Sequence, residues 1–244
     1  MEKKLRELFK FLTENREFNK KLQEKYYRTI LLPYSDTNSK ILSLLYHTIN
    51  TQSRPKIDKV AAFFKLLQLD LDCLLSFNSF VERVSNQKIS SFGNLYLGMV
   101  NQPGWGEKTA ALLTKSIYHI HNGQYNKKLK IWEDVPMKIS KNDTIYLPVD
   151  RVIIAIFKKM DTNVNWDFKK INQLLQSKFT SQEMEVWDDL WFWGFISQNG
   201  TGEERQMIWN ENKYWALKES EKDKLSIAKI KSRAIKFLKI LNKL

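Results

Sequence analysis

Gln102-Pro103-Gly104-Trp105-Gly106-Glu107-Lys108-Thr109-Ala110 is the stretch on which the reading of this chain turns. Two glycines around one residue, behind a proline and ahead of a helical run, predict a tight hairpin between two helices. Gly104 and Gly106 can take backbone angles with φ > 0 and leave room for a phosphate to approach. The N–H groups opening the next helix then face that phosphate, aided by the helix dipole. Such a turn grips a DNA backbone without reading bases. Glycine is also common in ordinary helix–turn–helix connections, so the flanking sequence has to discriminate.

Outward from the turn the pattern is helical. Ala110, Leu113 and Ile117 share one face of a helix over 107–121, and two short helical segments precede the turn, around 70–84 and 89–100. Further upstream, Leu5, Leu8, Phe9, Leu12 and Phe18 predict one or two amphipathic helices over 1–29, interrupted by Pro33 and the turn-rich 34–39. A helix from Lys40 to Thr51 follows, and Pro55 opens another carried on by Ile57, Val60, Phe64 and Leu67. Downstream, Gly123, Pro136 and Asn142-Asp143 punctuate short apolar pieces, so 122–147 reads as loop or a small β-hairpin. Helical periodicity returns at Val149–Met160 and continues through 166–178, 181–196 and 220–242. The expected fold is all-α, with no internal repeat and no low-complexity segment.

The charge narrows the partners. The chain has 244 residues and a formal net charge of +13, which makes a polyanion the first partner to consider. Nucleic acid, an anionic membrane surface and an acidic protein all fit, as does a merely solvated lysine-rich surface. No apolar run approaches the roughly 20 residues of a membrane span. The charged amino terminus, MEKKLRELFKFLTENREF, holds no signal-peptide core. A cytoplasmic, nucleoid-associated location is the expectation. Cys73 is the one cysteine and the histidines are His47, His119 and His121, so neither an internal disulfide nor a four-cysteine cluster can form. No metal and no cofactor are expected.

Lys108 and the later run Tyr146-Leu147-Pro148-Val149-Asp150 carry a likeness. PGWGEKTA and LPVDRVI resemble the hairpin and the aspartate segment of the helix-hairpin-helix DNA glycosylases, the superfamily of endonuclease III and the 8-oxoguanine glycosylases. The family's nucleophilic lysine falls on Lys108 and its aspartate on Asp150. The run from Leu42 to Phe64 resembles the helix, glutamine-bearing loop and helix that precede the hairpin in relatives, which places the gap-filling glutamine at Gln52. VWDDLWFWGFISQ (186–198) resembles the late helix that leads to the cluster cysteines of endonuclease III. Those cysteines are missing here, as they generally are in the 8-oxoguanine enzymes. The likeness spans roughly residues 40–200. One departure is the spacing: Lys108 and Asp150 are 42 positions apart, about twice what the commonest members show. The extra length falls in 122–147, and Asp134 is the competing carboxylate.

The resemblance implies two helical lobes with a cleft between them, one built from 1–54 and 150–244, the other from 55–149 with the hairpin. It implies a monomer acting on double-stranded DNA that contains a damaged base, without a membrane. The base must first be rotated out of the stack. The Lys108 amine then attacks C1′ and forms a Schiff base, while Asp150 takes a proton and stabilises charge on the sugar. DNA contacts are expected from Gln52, Gly104, Trp105, Gly106, Thr109 and Arg151. Trp191 and Trp193 are expected to line the base pocket, although aromatics at helical spacing more often belong to a core. Asp150 also reads as a helix N-cap, a role compatible with the first. An oxidised base, 8-oxoguanine above others, is the expected substrate. The alternatives are a glycosylase for mismatched thymine or alkylated bases, and a non-catalytic hairpin protein that uses its lysines on phosphates.

Overall fold

A computed structural model describes residues 1–141, 143–200, 205–218 and 224–242. Among these residues the protein is all-helical: α1 (Glu2–Glu14), α2 (Arg16–Leu31), α3 (Thr37–Ile49), α4 (Ile57–Gln68), α5 (Phe77–Ser85), α6 (Phe92–Val100), α7 (Glu107–Asn122), α8 (Arg151–Met160), α9 (Phe168–Gln176), α10 (Ser181–Trp187), α11 (Asp189–Ile196), α12 (Glu211–Lys218) and α13 (Lys224–Asn242). Short 3₁₀ turns lie at Leu71–Leu74 and Lys127–Leu129. The chain divides into two compact units, one of Met1–Leu22, Val149–Ser177 and Val186–Leu244, the other of Gln23–Pro148 and Lys178–Glu185. Residues 23–54 thus group with the Gly104 turn, not with the chain ends as expected, because α3 packs on α7.

In the first unit α11 lies on α8, and α13 packs against both α1 and α8. Leu8, Leu12, Ile153, Ile156, Phe192 and Phe237 are among its buried residues. Close approach of α11 to α8 requires Gly194, since a Cβ there would stand 2.5 Å from Ile156 Cδ1 and 2.8 Å from Val152 Cγ1. Asp189, buried at the start of α11, accepts from Asn19 Nδ2 at 2.6 Å and from Arg16 Nε at 3.2 Å. A buried carboxylate needs such partners to offset its desolvation. The helix expected over 181–196 is two helices divided at Asp188, and α12 falls where no helix was expected. Of the helix expected over 220–242, residues 220–223 lie outside the described residues.

In the second unit α7 is the central element, buried from Thr109 to Ile120 on most of its faces. It packs on α6 and α3, and α6 packs on α5. Gly98 permits the last contact: a Cβ would meet the backbone of Val84 and Ser85 at 2.9 Å. Local capping sets the helix starts. Asp36 receives Ser39 N–H, Ser91 receives Asn94 N–H, and Ser76 with Ser79 forms a reciprocal capping box. Asp36 starts α3 three residues ahead of the expected Lys40, inside the stretch read as turn.

Apart from Asn122 at the end of α7 and the 3₁₀ turn at Lys127–Leu129, the described residues of the 122–147 segment are loop, and they form no strand. Across all described residues the β pairing is an isolated bridge, Asn199 with Gln206. The segment lacks self-pairing because its side chains bond the helices instead. Trp132 Nε1 donates to Leu74 O at 2.7 Å. Asp134 accepts Phe77 N–H and Asn78 N–H at 2.8 and 2.9 Å. Asp143 accepts Phe92 N–H and Gly93 N–H at 2.8 and 2.6 Å. Leu129, Ile131, Trp132, Ile145 and Leu147 are buried.

Candidate functional site

Lys108, Gln52 and the two glycines come together within the second unit. Gly104 has φ +82°, and a Cβ there would press within 3.0 Å of Val60 N and Cγ2. Both the turn and the contact with α4 therefore require glycine. Gly106, the N-cap of α7, has extended backbone and open space where a Cβ would stand. That opening gives a ligand access to the first turn of α7, where the leading N–H groups lack intrahelical acceptors. Gln52 Nε2 donates to Gly104 O at 3.0 Å, and the Lys108 amine donates to Thr51 O at 3.3 Å. Two successive residues of the α3–α4 loop thus brace the glycine turn and the lysine head.

Two expected DNA contacts in this turn have other roles. Thr109 is buried, and its hydroxyl accepts Gly106 N–H and faces Gly106 O, each at 3.1 Å. It closes the turn and offers no free hydroxyl to a phosphate. Trp105 is 8% exposed, and its ring meets Phe63 edge-on at 5.4 Å. Its indole N–H has no acceptor. Trp105 is the anchor of the turn in the core, which is why a large residue sits between the two glycines.

Asp150 belongs to the first unit and caps α8. Its Oδ1 accepts Val152 N–H at 2.8 Å and Ile153 N–H at 3.0 Å, and its Oδ2 accepts Trp191 Nε1–H at 2.9 Å. Asp134, the competing carboxylate, has both oxygens engaged at the start of α5. Arg151, next to Asp150, is exposed in the first turn of α8. Trp191 is partly exposed and stacks on Phe195, centroids 5.0 Å apart and planes at 16°. Lys213 Nζ sits 5.1 Å from the centroid of Phe195. Loss of water, then the nearby Arg205 charge, lowers the Lys213 pKa. Trp193 is fully buried between Phe11 and Phe18 at 4.9 and 5.6 Å, so it is a core residue and not a pocket wall.

Phe195 and Lys213 were not singled out in the sequence. Phe195 lies four residues after Trp191, a spacing that does stack rings on a helix. Nothing in the local pattern joins Lys213 to them. His121 accepts Ile131 N–H at 3.4 Å, and burial with the neighbouring Lys130 charge pushes its pKa down to about 4. Cys73 is buried, and desolvation followed by Asp70 raises its thiol to about 11, which keeps it a protonated packing residue at neutral pH. Among the described residues no cluster of histidine, cysteine and carboxylates is arranged to hold a metal, and no helix is long and apolar enough to cross a membrane. No protein-family model, curated protein or solved structure matches this chain.

Proposed function

We propose that this chain is a helix-hairpin-helix DNA glycosylase with AP-lyase activity, acting on an oxidised base in duplex DNA, 8-oxoguanine foremost. The observation that carries the reading is the α6–α7 turn. A glycine at φ +82°, an unobstructed Gly106 at the helix N-terminus and Lys108 on the first helical turn stand in one place. That combination offers backbone donors for a phosphate and an amine beside them. Asp150, a carboxylate held by three donors, is the second group the chemistry requires.

In this scheme the neutral Lys108 amine attacks C1′, the C1′–N bond to the base breaks with its electron pair, and the base leaves as an anion that takes a proton from water. Asp150 stabilises the positive charge that develops on the sugar and receives a proton from the attacking amine. Ring opening converts the adduct to a Schiff base. Loss of a C2′ proton then expels the 3′ phosphate, which is the lyase step. Borohydride trapping against duplexes carrying 8-oxoguanine, mismatched thymine and alkylated bases tests the reading and ranks the substrates. A covalent adduct on the 8-oxoguanine duplex is expected. Duplex binding without an adduct or base release on any lesion would leave a DNA-binding module in its place.

A further inference from the structure

Asp150 is held on two sides by different kinds of donor. The α8 backbone takes Oδ1 twice, at 2.8 and 3.0 Å, as N-caps ordinarily do. Capping needs only one oxygen, so Oδ2 is the one left to meet a substrate. Among the described residues that oxygen has a single protein donor, Trp191 Nε1 at 2.9 Å. Both oxygens turn together about χ2, a broad torsion for this side chain, so the two caps on Oδ1 and the indole donor on Oδ2 restrain the carboxylate from opposite edges.

Trp191 is itself fixed. Its ring lies nearly parallel to Phe195 at 5.0 Å, and the Lys213 ammonium rests over Phe195 at 5.1 Å. All four residues belong to the first unit. An ammonium above a ring draws on the negative π face, an attraction that strengthens as water is removed, and Lys213 is partly desolvated. Ammonium, phenyl ring, indole and carboxylate therefore form one continuous stack. Its terminal contact is the oxygen that capping does not use. Full burial of Trp191 would be the sign of a core role, but this ring is partly exposed while Trp193, two residues on, is wholly buried.

We infer that Trp191 is a positioning residue for Asp150: its indole N–H sets the direction of Oδ2, and the Phe195–Lys213 stack sets the direction of the indole. This rests on the glycosylase reading, in which Asp150 acts on the sugar. It replaces the expectation that Trp191 stacks on the extruded base. Orientation held in advance lowers the barrier without changing how tightly the duplex is bound.

Single-turnover base release and duplex Kd, measured together, test it. Trp191→Phe, which keeps a stacking ring and removes the N–H, should slow base release by about tenfold or more while Kd stays within about twofold. Benzothienylalanine at position 191 keeps the ring shape with sulfur in place of N–H, and it should reproduce the loss even if Trp191→Phe folds poorly. In an Asp150→Asn background the same replacement should have little further effect, because Trp191 acts through the carboxylate. A purely structural role of Trp191 would slow both backgrounds equally. Wild-type base release with either position-191 variant at full rate overturns the positioning role alone, and so does an equal loss in both backgrounds or a matching rise in Kd. A wild type that releases no base from any lesion overturns the glycosylase reading itself, and the positioning role with it.

Discussion

Lys108 and Asp150 are supported by unlike surroundings, so their substitution should fail in unlike ways. Among the described residues Lys108 makes one hydrogen bond, at 3.3 Å to the Thr51 carbonyl, and Lys108→Gln should cost the fold little. The variant should bind duplex within about threefold of wild type and give no borohydride adduct, since an amide forms no Schiff base. An adduct with this variant would move the nucleophile to another lysine. Asp150→Asn keeps the Oδ1 caps, so the variant should fold normally and release base about 10²–10³-fold more slowly, the scale of losing one preorganised electrostatic group. The double variant should be little slower than Lys108→Gln alone, because the proposed mechanism uses both groups in one step. Additive losses would mean that the residues serve different steps.

At the scale of elements, the 122–147 segment is a strap that supplies caps to helices it does not belong to. Asp134 covers the first N–H groups of α5 and Asp143 those of α6. Asp134→Ala should lower unfolding stability by about 1–2 kcal/mol, the range for lost N-caps, and leave the rate of base release unchanged. Chemical denaturation with a single-turnover assay on the same variant checks both halves. Full stability after the substitution would mean that water replaces the carboxylate at α5. A loss of rate without loss of stability would return Asp134 to contention as the catalytic carboxylate.

For the whole molecule, charge and pH have separable effects. With +13 formal charge, duplex affinity should fall linearly in log[salt], by about 10³-fold or more between 50 and 200 mM if six phosphates are neutralised. A flat salt response would leave the basic surface as a solvated face. On the acid side, His121 is neutral in the fold with its pKa near 4, below its ordinary 6.5. The unfolded chain then takes up a proton as pH falls through 6.5 and the folded chain does not, so stability declines from 6.5 toward 4 and this contribution levels off below. Between pH 7 and 5 the loss from this group should be on the order of 2 kcal/mol. His121→Gln should remove that share of the pH dependence, and an unchanged slope would assign it to other groups.

The amino-acid order by itself determined the helical class and most element positions, because apolar spacing, proline, glycine and capping residues act over a few neighbours. The helix after Gly106, the turn at Gly104 and the N-cap at Asp150 are all local decisions of this kind. The division at Asp188 and the short α12 escaped because aromatic-rich or weakly periodic runs do not mark their own ends. Side-chain roles were legible only where they stay local. Trp105, Trp191 and Trp193 read alike in sequence, yet one anchors a turn on Phe63, one bonds Asp150 and one fills a core between Phe11 and Phe18. Likewise Asp134 and Asp150 read as equivalent carboxylates in sequence, whereas in the fold α5 engages both oxygens of the first and α8 with Trp191 those of the second. The deciding partners lie tens of residues away, so only tertiary packing could choose among chemically equivalent side chains.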